Sequence, residues 1–349
     1  MVCMLDYIYE EQVTLEKILK EFNYNFEELK DITHCLILAT GSSYNASLAA
    51  KFYMESTAGI YIDIQEPFNF LHYGMVDPKF DLVIAVSQSG KSTSTIYAIE
   101  KIAKSQKIKT IALTSNSESP ITKVVNATFN LNMGIEKVGF VTKGYSATVL
   151  NLMLLSLTIA FQSKRINELN MENYLTDFRE VIGNIDKVID KTEEFFDNKK
   201  DALINDQRFI AIGYGPNWGT AKEAETKFTE TIRKPSQGFE LEAYMHGPYL
   251  EANKMHSLFF IETDGEVLSR SEALRTYMIN HVKTCYVITT KASHEKDVLG
   301  LDVKIDEKVS PLLLVIPFQY LAYQVASLQG IDLEKRIFDD FDQVLQSKI

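Results

Sequence analysis

Two groups of residues have the types and spacing to do chemistry. The first is rich in hydroxyls. Ser87, Ser89, Ser92, Thr93 and Ser94 crowd around Gly90 in "VSQSGKSTST", after the apolar run 82–86 and before a segment carrying Ile96, Ile99 and Ile102. That order reads as strand, tight turn and helix. The first amides of a helix lack partners within it, and the helix dipole adds positive potential there, so the turn could hold a phosphate. "GKS" suggests a nucleotide-binding loop, but that loop needs a glycine five positions before Gly90, where Ala85 stands. Helix capping is the other reading, although one cap needs one serine rather than five hydroxyls. A second such turn, "TGSSYN" at 40–45, places Ser42 and Ser43 after another strand end. The second group is Glu223, Lys227 and Glu230, at i, i+4 and i+7 on one helical face. A carboxylate beside an ammonium can move protons, yet the same spacing also suits a solvated ion-pair ladder. His246, before Gly247 and Pro248, sits where a helix must end, as a turn imidazole of structural or acid–base use.

Positioning these residues requires alternating strands and helices. A lead-in helix is expected over 5–22, then strands at 35–40, 60–65, 82–86, 109–115 and 126–133, with an apolar helix at 146–162. Residues 163–204 read as a charged helical connector. The pattern then restarts: "RFIAIGYGPNWGTAKEAETKF" parallels "HCLILATGSSYNASLAAKF", and strands are expected at 257–263, 285–290 and 311–318 ("PLLLVIPF"), with a helix "QYLAYQVASLQ" after them. The fold class is therefore α/β: two tandem doubly wound parallel sheets of flavodoxin-like, three-layer αβα form. The divisions are a lead-in at 1–29, a phosphate-binding domain at 30–165, the connector at 166–204, a domain with the charged helix at 205–330 and a tail at 331–349. In such sheets neighbouring strand ends meet at one crevice, so the two hydroxyl turns converge. "GYGPNW" and "ETDGEVL" at the matching points of the second repeat lack hydroxyl clusters, which leaves that repeat a different task.

Formal net charge is −11, with 36 Lys and Arg against 47 Asp and Glu, which argues against nucleic acid as the main partner. Cys3, Cys35 and Cys285 form no CxxC pair, and their odd number suits a reducing cytoplasm. The apolar runs are shorter than the roughly 20 residues of a membrane helix, so no membrane partner is expected. The six histidines show no metal-ligand spacing, and no cofactor is called for.

The motifs "TGSSY", "SQSGKS", "EAETKFTETIRK" and "HGP", in that order and spacing, resemble the sugar isomerase (SIS) domain family. The chain is most like the tandem-SIS isomerase half of glucosamine-6-phosphate synthase and its relatives, the ketosamine-phosphate deglycases and amino-sugar phosphate deaminases. The likeness runs from about residue 30 to 330. It implies that Ser42, Ser43, Ser87, Gln88, Ser89 and Ser92 hold a sugar phosphate, that Glu223, Lys227 and Glu230 do the chemistry, and that His246 reaches a neighbouring subunit's site in a homodimer. Two departures matter. The chain starts almost at the first SIS repeat, without the glutaminase domain, so no ammonia from glutamine is expected. The family's Asp-x-Pro-Arg tail with its lysine is poorly matched by "GIDLEKRIFDDFDQVLQSKI", where Lys348 is the candidate lysine.

The resemblance implies proton transfer between C1 and C2 of an open-chain sugar 6-phosphate. Glu230 would move the proton, Lys227 polarise the oxygen or nitrogen, Glu223 orient Lys227, and His246 open the ring. Water attack on an imine would instead give a deglycase or deaminase, and a non-catalytic sugar-phosphate sensor would need only the serine loops.

Overall fold

A computed structural model describes every residue except 1, 27, 105 and 106. α1 (Met4–Tyr9) and α2 (Glu11–Glu21) precede β1 (His34–Leu38), α3 (Ser42–Ala58), β2 (Tyr61–Gln65), α4 (Pro67–Tyr73), β3 (Leu82–Val86), α5 (Thr93–Ala103), β4 (Lys109–Thr114), β5 (Ala127–Asn130) and α6 (Lys143–Gln162). α7 (Glu168–Ile182) and α8 (Ile185–Ile204) follow. The second run is β6 (Arg208–Gly213), α9 (Asn217–Thr231), β7 (Ser236–Glu240), α10 (Leu241–Met245), β8 (His256–Glu262), α11 (Leu268–Met278), β9 (Thr284–Thr289), β10 (Val298–Gly300), α12 (Pro311–Leu314), α13 (Ile316–Leu328) and α14 (Phe341–Leu345). The expected lead-in helix is broken at Glu10 into α1 and α2.

Each sheet has five parallel strands, ordered β2-β1-β3-β4-β5 and β10-β9-β8-β6-β7. Read from the first strand of each repeat, the two orders are the same, and both are the doubly wound order in which the direction of winding reverses beside the first strand. Both faces of each sheet are covered, giving three layers. In the first, Leu36, Leu38, Val83, Ala85 and Ala112 pack with Phe70 of α4 and Ile96, Ile99 and Ile102 of α5. The alternate residues Cys35, Ile37, Leu82 and Ile84 are buried on the opposite face. In the second, Ile210, Ile212, Leu258 and Phe260 pack with α10 and α11. Their neighbours Phe209 and Phe259 face the rings of Phe228 and Phe318.

The chain forms two compact units and alternates between them. The β1–β5 unit holds residues 13–137, 143–176 and 336–349; the β6–β10 unit holds 1–12, 138–142 and 177–335. Thus the short strap 138–142 is part of the second unit, and the C-terminal tail is part of the first.

The expected strand "PLLLVIPF" is helical instead, forming α12 and the start of α13. A short, wholly apolar run has no period that separates a buried strand from a buried helix. Here Pro311 and Pro317 both occupy first turns of helices, where a missing N–H costs nothing. The fifth strand is the three-residue β10. β7 was also missed, because "SQGFE" has little apolar content; its Gly238 is needed where a Cβ would lie 2.1 Å from the carbonyl oxygen of Ala221. Two helical stretches, Lys143–Gln162 and Glu307–Leu328, are long and apolar enough to cross a membrane, and their apolar windows are 94% and 89% buried within the protein.

Candidate functional site

In the β1–β5 unit the two hydroxyl turns leave adjacent strands. Leu38 of β1 pairs with Ala85 of β3, at the point where the strand order reverses, so both turns open on the crevice where such sheets take ligands. Gly41 precedes α3 at φ 58°, ψ −136°, a conformation that excludes side-chain-bearing residues; Ser42 then opens the helix. In the second turn Ser87 extends the sheet by donating its N–H to Leu113 O at 3.0 Å. The Gln88 carbonyl accepts three donors: Ser115 N at 2.9 Å, Ser115 Oγ at 2.8 Å and Thr114 Oγ1 at 3.0 Å. Gly90 has φ 66°, and a Cβ there would overlap Ser119. These bonds fix the turn without using the hydroxyl of Ser87, while Ser89 Oγ accepts from Lys91 N at 3.4 Å. Ser92 is the N-cap of α5 with no side-chain cap bond; its Oγ instead accepts from Thr95 Oγ1 at 2.9 Å. Plain capping does not account for the cluster.

Two contacts of this turn carry no signal in the sequence. The first is with the start of α6, beside which Gln88 lies, its Nε2 3.4 Å from Thr148 Oγ1. Gly144 donates its N–H to Glu136 Oε2 at 3.2 Å, and a Cβ on Gly144 would come within 2.8 Å of both side chains. The other is the tail. Thr93 donates its N–H to Ser347 O at 3.3 Å and its Oγ1 to Gln346 O at 2.8 Å, while Ile349 N donates to Lys91 O at 3.0 Å. Lys348 pairs with Ser92 through an antiparallel bridge, but its side chain is 58% exposed and lies 3.3 Å from Asp342 Oδ2. Ser347, Arg336 and Lys348 together hold the Asp342 carboxyl well below the usual carboxylate range.

The corresponding strand ends of the β6–β10 unit are closed. β6 and β8 are adjacent, and Tyr214, just after β6, accepts from Thr263 N at 2.9 Å and donates to Thr263 O at 2.8 Å just beyond β8. Burial pushes the Tyr214 phenol up to about 12, so it stays neutral and makes both bonds. The crevice that is hydroxylated in the first unit is filled by a ring in the second.

A cluster of charged side chains in this unit lies along α9. Glu223 and Lys227 are both 0% exposed, whereas the Glu230 side chain is 38% exposed. Lys227 Nζ lies 2.9 Å from Glu230 Oε2, 3.5 Å from Glu223 Oε1 and 2.7 Å from Val141 O on the strap. The solvated-ladder reading is excluded for the buried pair: an ammonium without water must find acceptors in the protein, and here it has three. One carboxylate is sealed and one has an edge to solvent. His246 is not in this buried group. It ends α10, its side chain is 79% exposed, and its Nε2 lies 3.8 Å from Glu242 Oε2.

Residues 28–160 match the SIS domain family. The glutamine–fructose-6-phosphate aminotransferase (isomerizing) of Methanosarcina mazei is 26% identical over 321 residues, covering 91% of this chain and 52% of that protein. The chain spans about half the length of the curated relatives it matches. Among solved structures, a candidate phosphosugar isomerase from Clostridium difficile is similar with a TM-score of 0.91 at 24% identity, over 100% of this chain and 99% of that one. The C-terminal domain of glucosamine-fructose-6-phosphate aminotransferase from Francisella tularensis has a TM-score of 0.86 at 19% identity, over 95% and 97% of the two chains. The match to the SIS domain family model thus covers residues 28–160 of the chain.

Proposed function

We propose that the protein is an aldose–ketose type phosphosugar isomerase, acting on an open-chain sugar or amino-sugar 6-phosphate. The observation that carries this reading is the α9 triad: a half-exposed carboxylate, Glu230, held by a buried ammonium that is itself neutralised by a second, buried carboxylate. The C–H next to a carbonyl or imine is weakly acidic, and its removal needs a fixed base. Glu230 takes the proton from one carbon, leaving an enediol or enamine, and returns it to the neighbouring carbon. Lys227, with acceptors on three sides, orients Glu230 and supplies positive potential to the developing oxyanion. Ser42, Ser43, Ser87, Gln88, Ser89 and Ser92 hold the phosphate, with helix amides reinforcing the hydroxyls, so that binding energy far from the reacting carbons fixes the sugar. His246 opens the ring. Its exposure suits a residue contributed to a second copy in a homodimer.

The Glu230→Gln variant tests the reading. Turnover of sugar 6-phosphates, followed by NMR in deuterated water, should fall by about 10² or more while KM for the sugar phosphate stays within a few-fold. Unchanged behaviour in the variant, with binding but no turnover in the parent, identifies a sensor. Release of an amine or amino acid in the NMR record identifies a deaminase or deglycase.

A further inference from the structure

The strap 138–142 follows the first sheet's last strand, β5, after the segment 131–137, yet it belongs to the compact β6–β10 unit. Two side chains of that unit hold consecutive carbonyls of it. Lys227 Nζ donates to Val141 O at 2.7 Å, and Gln319 Nε2 of α13 donates to Thr142 O at 3.1 Å. Gln319 is 0% exposed, and its Oε1 has no hydrogen-bond partner among the described residues. For core stability this is a poor choice. An unpaired buried acceptor is destabilising, and an apolar side chain of similar size would leave only the Thr142 carbonyl to be satisfied. The amide is therefore present for what its donor holds in place.

We propose that Gln319 is a positioning residue for the α9 triad. Resting on the isomerase reading above, it acts by pinning the strap so that the Val141 carbonyl meets Lys227. An ammonium has three donors in a fixed arrangement. With one directed at Val141 O, the other two are set towards Glu223 and Glu230, at 3.5 and 2.9 Å. If the strap drifts, Lys227 turns, and the Glu230 carboxylate loses the orientation that proton abstraction requires. Gln319 touches no reacting atom and acts through two intermediaries, a peptide and a lysine.

The test is Gln319→Met in the full chain, with Gln319→Leu beside it to expose any packing fault peculiar to one side chain. Amide exchange in segment 138–142 should accelerate, while the urea midpoint stays close to that of the parent, since one unpaired buried acceptor, Gln319 Oε1, is exchanged for another, Thr142 O. The kcat for sugar-phosphate isomerisation should fall about tenfold at unchanged KM. In a Glu230→Gln background the same substitution should cause no further loss, because the group it orients is gone. Equal losses in both backgrounds, unchanged kcat, or unchanged exchange in 138–142 would each overturn the proposal. Should the parent turn over no sugar phosphate, the isomerase reading fails by itself, and the exchange of 138–142 alone decides whether Gln319 holds the strap.

Discussion

The two sheets share one strand order and differ in what stands at the ends of their central strands. In the first, the β1 and β3 ends open into turns of small hydroxyls over helix N-termini. In the second, the β6 and β8 ends are tied together by the Tyr214 phenol. Buried charge is distributed the other way. Among the described residues, Lys143 is the buried charged side chain of the first unit, whereas the second buries Asp206, Glu223, Lys227 and Glu262, with others. The difference follows from the costs involved. Backbone amides and hydroxyls can receive an anion without first desolvating a charge of their own. A carboxylate kept out of water must bring its counter-charge with it. One strand order thus carries uncharged hydroxyl turns in one repeat and a buried, paired charge cluster in the other.

The largest effect expected from this division is on stability. Lys227→Met leaves the Glu223 carboxylate buried without its ammonium and should destabilise the protein by about 3–5 kcal/mol. Ser43→Ala, in the half-exposed first turn, should change stability by no more than about 0.5 kcal/mol. Urea unfolding of the two variants beside the parent makes the comparison. Similar midpoints would mean that the α9 pair is not the fixed charge pair described here.

Tyr214→Phe comes next. It removes the hydroxyl and leaves the Thr263 N–H buried without its acceptor, at about 1–3 kcal/mol. Because the Tyr214 hydroxyl is bonded to Thr263 on both its donor and acceptor sides, KM for a sugar phosphate should not move. A raised KM would show that the second sheet's strand ends take part in binding. Ser89→Ala makes the reciprocal case. Loss of one hydroxyl from the cradle should raise KM roughly tenfold with kcat held within a few-fold, since a hydrogen bond to a charged group is worth about 1.5–3 kcal/mol. A fall in kcat at constant KM would place Ser89 in the chemistry instead of the anchor.

These contrasts were unevenly legible. The alternation of apolar strands with amphipathic helices was enough for the sheet class, whereas the hydroxyls from Ser87 to Ser94 left phosphate binding and helix capping both open on that turn alone. The α9 spacing placed Glu223, Lys227 and Glu230 on one face, but a helical period cannot say whether that face is wet or sealed. What seals it comes from elsewhere in the chain: Val141 is 86 residues from Lys227, and Gln319 is 177 residues from Thr142. The same holds for the Tyr214–Thr263 tie, across 49 residues, and for the tail on Thr93. "PLLLVIPF" misled for a local reason, since a run that is apolar at every position carries no period. Long-range hydrogen bonds made by a lone tyrosine, glutamine or main-chain carbonyl leave no pattern in the neighbouring residues.

The smallest effect is a pH dependence that should belong to the second unit. His256 opens β8 and is buried, and burial holds its pKa below the ordinary histidine value; Arg208 pushes the same way and Glu251 opposes. Its Nε2 lies 3.0 Å from Asn253 Nδ2, where a neutral ring accepts the amide's proton. Protonation at Nε2 would set two donors against each other. The unfolded chain binds a proton near pH 6.5, above the pH at which the folded chain does. Between those values the unfolded state holds more protons, so stability rises with pH there. The contribution is complete above about pH 6.5 and is lost as the pH falls through that value towards the folded one. Urea midpoints of the parent should therefore drop more between pH 7.5 and 5.5 than those of His256→Gln, which cannot take up the proton. Parallel curves would show that a charged His256 is tolerated at the start of β8.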